Sequence, residues 1–119
     1  MAGRMLMNDS VHLPDVLAYE LENLLSSIRS DPSVRTIILF GSTARGTRHE
    51  HSDIDLLVLV DDSGNHEPLT SAKIRMKAFG KITFPLDVIV ESLTVFEERK
   101  PFPTLERKIA REGKVLYTA

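Results

Sequence analysis

The chain has 119 residues, 42% hydrophobic and 27% charged, with a formal charge of −2 and no cysteine; this suits one small domain that buries a core without disulfides or a structural metal. Without cysteine there is no thiolate zinc site and no cysteine nucleophile, and the charge is too small to favour nucleic acid as a partner. No apolar run is long enough to span a membrane, and Met1 to Asp9 lacks a secretory core, so the expectation is a soluble, cytoplasmic protein with no membrane partner.

Residues 1–11 read as a loose arm and 12–119 as the domain. Pro14 and Asp15 suit a first helical turn, and Leu17, Leu21, Leu24, Leu25 and Ile28 then recur at helical spacing until Asp31-Pro32. Val34–Phe40 is a β-branched run of strand length stopped by Gly41, and Thr43–Thr47 predicts a short helical turn. Ile54–Val60 is apolar on both alternations, which predicts a central strand covered on both faces. A polar loop over Asp61–Pro68, a helix over Leu69–Phe79 and a third strand over Leu86–Val90 follow. Thr104–Glu112 predicts a helix capped by Gly113, and Val115–Tyr117 a last strand. Helices alternating with buried strands predict an α/β fold, a small sheet with helices packed on it.

Three acids interrupt this apolar pattern. Asp53 and Asp55 open the central strand, and strand alternation puts both on one face about 7 Å apart. Ionised carboxylates so close repel each other and must stay wet, meet cations or change pKa. A hard divalent ion such as Mg²⁺ satisfies them with oxygen ligands, water and substrate phosphate. Asp87 opens the third strand, and if the two strands pair it joins the cluster. Three carboxylates holding two ions is a layout for phosphoryl or nucleotidyl transfer, although an acid at a strand end is also an ordinary solvated cap.

Ahead of the acids, Phe40-Gly41-Ser42-Thr43-Ala44-Arg45-Gly46 leaves a buried strand and opens a helical turn. Gly41 permits close backbone approach to a ligand, Ser42 can donate to a phosphate oxygen and Arg45 can form a charge-assisted fork. The segment lacks the G-K-[ST] ending of a Walker loop, and alone it is also an ordinary tight strand-to-helix connection.

Gly41-Ser42, a spacer, Asp53-x-Asp55 and then Asp87 on a later strand together resemble the polymerase β-like nucleotidyltransferases. The resemblance covers roughly residues 34–90, and Glu112-Gly113-Lys114-Val115-Leu116-Tyr117 is similar to the end of the stand-alone minimal members. It implies a small mixed sheet with the polymerase β-like core. It also implies that Gly41 and Ser42 hold the β- and γ-phosphates and that Asp53 and Asp55 bind two Mg²⁺ ions, with Mn²⁺ as a substitute. Asp87 would bind the catalytic ion and help activate the nucleophile. The chemistry implied is transfer of a nucleoside monophosphate, most simply AMP from ATP, to a hydroxyl with release of pyrophosphate. Many minimal members look like the antitoxin half of a two-gene HEPN/MNT toxin–antitoxin module, which implies an all-helical HEPN-type partner modified on a tyrosine.

Two other readings stand beside this one: an antitoxin that neutralises its partner by binding alone, and a small-molecule enzyme of the aminoglycoside-modifying kind. A chain of this length leaves little room for base and acceptor pockets, which a homo-oligomer or a second protein would complete. In that case Phe96 and Phe102, around Pro101, are expected at an interface. His49 and His51 lie in the spacer and Arg107, Lys108, Arg111 and Lys114 along the last helix; all six read first as solvated surface. Tyr19 and Tyr117 could accept a nucleotide, but tyrosines mostly pack.

Overall fold

The computed structural model describes residues 4–5, 13–50, 52–61, 64 and 67–119. In chain order the elements are β1 (Arg4–Met5), α1 (Asp15–Arg29), β2 (Val34–Phe40), α2 (Gly41–Arg45), β3 (Ile54–Val60), α3 (Ser71–Ala78), β4 (Leu86–Ser92), α4 (Leu93–Arg99), α5 (Leu105–Glu112) and β5 (Lys114–Thr118). The strands form one sheet in the order β1-β5-β2-β3-β4. β5 pairs antiparallel with β1 and β2, β2 antiparallel with β3, and β3 parallel with β4. A parallel pair needs a crossover connection, and the stretch carrying α3 supplies it.

Strand alternation divides the core between the two faces of the sheet. Ile37 and Leu39 of β2 and Ile54, Leu56 and Val58 of β3 meet Leu21, Leu25 and Ile28 of α1 and Ile74 of α3. Ile38 of β2 and Leu57 and Leu59 of β3 point the other way, onto Phe96 of α4 and Ile109 of α5. Each fully buried leucine or isoleucine contributes roughly 1.5–3 kcal/mol, so both layers are needed to hold the sheet. This is the expected α/β architecture, with β3 covered on both faces.

Some expectations are corrected. The turn after β2 is helical from Gly41, two residues before Thr43. Ser92 caps a further helix, α4, accepting from the Val95 N–H. Helical spacing from Leu93 turns Phe96 inward, where it is 4% exposed and belongs to the core, whereas Phe102 is 62% exposed. Gly113 caps α5 as expected, with φ −71°. A Cβ there would stand 2.5 Å from Ile38 Cγ2 and 2.6 Å from the Ile109 carbonyl oxygen, so glycine lets β5 start against α5. Tyr117 is buried and Tyr19 exposed. Most of the expected arm over 1–11 lies outside the described residues, and within it Arg4–Met5 pairs with Tyr117 and Thr118.

Under α5 the sheet buries a carboxyl pair. Glu91 of β4 faces Glu106 of α5, and Arg99 of α4 donates from Nε to Glu106 Oε2 at 2.9 Å. Burial, then the hydrogen bond and charge of Glu106, push Glu91 up to about 7. Burial also works against ionised Glu106, yet hydrogen bonds from its own backbone, from Glu91 and from Arg99 outweigh it and hold that carboxyl below its usual range. Below neutral pH the pair thus favours one shared proton, on Glu91. A carboxyl whose folded pKa is raised gives stability that is full below its unfolded value, here 4.5, and lost as pH climbs through about 7. Glu91→Gln keeps a donor toward Glu106 at every pH, so its melting temperature should gain on wild type between pH 5 and pH 8. A constant gap across that range would contradict the shared proton.

Candidate active site

The pairing of β3 and β4 sets the site. In their parallel register Asp55 lies directly beside Asp87, each on the face that also carries Leu57 and Ile89. Adjacent strands run about 4.8 Å apart, so the two carboxylates share one patch at the mouth of the sheet. Asp53 precedes β3 on the same alternation and is exposed. Burial raises the pKa of Asp55, the charges of Asp87 and then Asp53 raise it further, and Arg45 opposes them. The charges of Asp87 and Asp53 thus reach Asp55, which resists ionisation. Among the described residues no three such side chains close into a ready-made metal cage. Like charges without a cation splay apart, and the donor set is the all-oxygen kind that hard ions take together with water and phosphate.

The glycine turn leans on this patch. Phe40 at the end of β2 pairs with Asp55, and Gly41 follows with φ +75°. A Cβ on Gly41 would run into the Asp55 carboxylate, so glycine alone lets the turn and the acid meet. No side chain caps the start of α2, which leaves its first N–H groups open toward that end. Ser42 sits in this first turn, and its carbonyl accepts from the Thr47 N–H at 2.9 Å. Arg45, expected to reach phosphate, is instead paired with Glu112 of α5, Nη1 to Oε1 at 3.4 Å, while remaining close enough to act on Asp55.

A cleft of about 150 Å³ opens between α2 and α5, lined by Phe40, Gly41, Arg45, Leu105, Lys108, Ile109 and Glu112. Leu105, Lys108, Ile109 and Glu112 follow helical spacing, so one face of α5 walls the cleft. Lys108, exposed as the sequence suggested, lines this cleft and, with Glu112, also a neighbouring one beside Pro103, Thr104, Arg107 and Arg111. The spacer is held by Ser52, 8% exposed, whose N–H donates to the His49 carbonyl and whose hydroxyl accepts from the His49 N–H, both at 3.0 Å. The His49 side chain is exposed, and His51 lies outside the described residues. Arg75 of α3 was not foreseen: it stands 3.7 Å from Asp87.

Two substitutions test the contact between turn and acid. Asp55→Asn removes a carboxylate that the fold disfavours in its charged form, so in EDTA at neutral pH it should raise the melting temperature, and at pH 4 the gain should shrink. A lower melting temperature at neutral pH would mean that the charge holds the fold together. Gly41→Ala should cost on the order of 1–3 kcal/mol, because it combines a positive φ with a steric collision; a denaturant melt within 0.5 kcal/mol or so of wild type would contradict the close approach.

The comparisons with known proteins agree with this geometry. A family model described as "Polymerase beta, Nucleotidyltransferase" matches residues 22–119. A Methanocaldococcus jannaschii protein named "Putative protein adenylyltransferase" is 36% identical over 84 residues, which is 71% of this chain and 79% of the relative. The solved structure of a toxin–antitoxin with AMP-PNP has a TM-score of 0.55 at 22% identity, covering 85% of this chain and 73% of that one. A mutant of the toxin–antitoxin MntA-HpeT has a TM-score of 0.54 at 22% identity, covering 91% and 75%. At that identity the two structures speak for the fold, whereas the family match takes in the Gly41-Ser42 turn and all three acids. The chain belongs to the polymerase β family of nucleotidyltransferases.

Proposed function

We propose that the protein transfers AMP from ATP to a tyrosine hydroxyl of a helical, HEPN-type partner and so serves as the antitoxin of a toxin–antitoxin pair. The observation that carries the chemistry is the register that sets Asp55 beside Asp87 against the open first turn of α2. Asp53, Asp55 and Asp87 would hold two Mg²⁺ ions, with Mn²⁺ able to replace them. Such ions ease deprotonation of the attacking hydroxyl and neutralise charge on the leaving pyrophosphate. The Ser42 hydroxyl and the α2 N–H groups take the β- and γ-phosphates, and Arg45 exchanges Glu112 for phosphate. Asp87, at the exposed edge of the sheet, orients the acceptor hydroxyl. The acceptor hydroxyl's oxygen bonds to the α-phosphorus, the bond from that phosphorus to the bridging oxygen breaks, pyrophosphate leaves, and the hydroxyl proton passes to solvent.

The acceptor is argued from space and from kinship. Ligand pockets commonly hold roughly 300–1,000 Å³, whereas the cleft beside the turn offers about 150 Å³. So small a cleft supports an acceptor brought on another protein's surface, or on a second copy of this chain. The relative's name speaks of protein adenylylation and the structural neighbours are toxin–antitoxin complexes, which supports a protein acceptor of that kind. No helix among the described residues is long and apolar enough to cross a membrane.

Co-expression with the product of the neighbouring gene, followed by ATP labelled in its α-phosphate and Mg²⁺, tests this. The partner should co-purify and take up label on tyrosine. Asp53→Asn and Asp87→Asn should lose the label and keep the complex. A complex that never takes label points to an antitoxin acting by binding alone, and label on an aminoglycoside points to a small-molecule enzyme. Ser42→Ala should weaken triphosphate binding by about 1–2 kcal/mol, the worth of a hydrogen bond to a charged group; an unchanged ATP dissociation constant would make the turn a mere connection.

A further inference from the structure

Among the described residues β4 ends the sheet on its side, so half of its backbone groups face no neighbouring strand. The Pro85 carbonyl turns inward and accepts from the Ile54 N–H at 2.8 Å. Alternation turns the next carbonyl, that of Leu86, toward the open edge. Arg75 of α3 reaches it, Nη1 donating to the Leu86 oxygen at 2.9 Å. The residue before it, Ile74, is fully buried, which fixes the turn of α3 from which the arginine extends. Thus anchored, the guanidinium holds its other terminal nitrogen, Nη2, 3.7 Å from Asp87 Oδ1. The geometry points to Arg75 as a positioning residue for Asp87, its anchored charge drawing one carboxylate oxygen to its side and leaving the other for the metal; this rests on the metal-dependent reading above.

Stability does not account for the arrangement. The Arg75 and Asp87 side chains are 52% and 53% exposed, and a pair that open contributes only about 0–1 kcal/mol. Orientation does account for it. A carboxylate at the mouth of an edge strand rotates freely unless something holds it, and a ligand that must be ordered on binding binds its ion less well. Arg75 is tied to a backbone carbonyl and not to the acid alone, so it keeps its place when Asp87 takes up a cation. A planar fork suits two acceptors this close together; an amide or an ammonium spans them less well.

The test is Mn²⁺ titrated calorimetrically into the full chain with a non-hydrolysable ATP analogue present. Arg75→Gln removes the charge and shortens the side chain, and it should weaken Mn²⁺ about tenfold while barely moving the melting temperature, because so exposed a pair adds little stability. Arg75→Lys should recover part of the loss. In an Asp87→Asn background, Arg75→Gln should cost nothing further, because its effect passes through that carboxylate. Wild-type affinity in Arg75→Gln, or a full additional loss in the double variant, would overturn the assignment. Wild-type protein that takes up no Mn²⁺ would overturn the metal reading itself, and the assignment with it.

Discussion

Parallel pairing of β3 and β4 puts two carboxylates, Asp55 and Asp87, side by side, and the surroundings of the site answer that one repulsion. At about 4–5 Å, like unit charges cost on the order of 1 kcal/mol in water and several times that where water is partly excluded. Asp55 bears the cost: burial first, and then the charges of Asp87 and Asp53, raise its pKa. Gly41 yields the space on one side, so that N–H groups rather than a side chain border the patch. Arginines stand on both flanks, Arg45 from α2 and Arg75 from α3, each tied to a second partner. Such a frame tolerates concentrated negative charge without closing over it, which suits a site that gathers cations and phosphate only when substrate arrives.

The same face of β4 shows a second solution to the same problem. Glu91 stands four residues beyond Asp87, under α5, and meets Glu106 where water is scarce. There a proton and Arg99 settle the repulsion, and the result is structure. At Asp87 the strand end is open, and the charge remains available for chemistry. Burial decides between the two: an enclosed acid pair keeps a proton, and an exposed one can exchange water for a metal. α5 serves both ends, covering Glu91 through Glu106 and walling the cleft through Lys108 and Glu112.

Much of this was legible in the sequence because the informative signals are local. The apolar runs at Val34 and Ile54 are strands with the expected bounds, and the periodic leucines from Leu17 form α1. The Gly41-Ser42 turn and the acids come together as their order implies. What escaped is set by tertiary structure. α4 is short and polar, so Phe96 read as surface until the helix turned it inward. Arg75 matters only because β4 is an edge strand whose Leu86 carbonyl points outward. Lys108 belongs to the site because α5 packs against α2, and Glu91 meets Glu106 across a layer that no linear spacing records. Glycine at 113 caps α5 as expected, but the proximity of Ile38 and the Ile109 carbonyl is what demands it.

The most direct test is anomalous diffraction from crystals grown with Mn²⁺ and a non-hydrolysable ATP analogue. The account predicts a peak about 2.1 Å from carboxylate oxygens of both Asp55 and Asp87, with the β- and γ-phosphates at the first turn of α2. A nucleotide bound elsewhere, or a peak that avoids either acid, would contradict it.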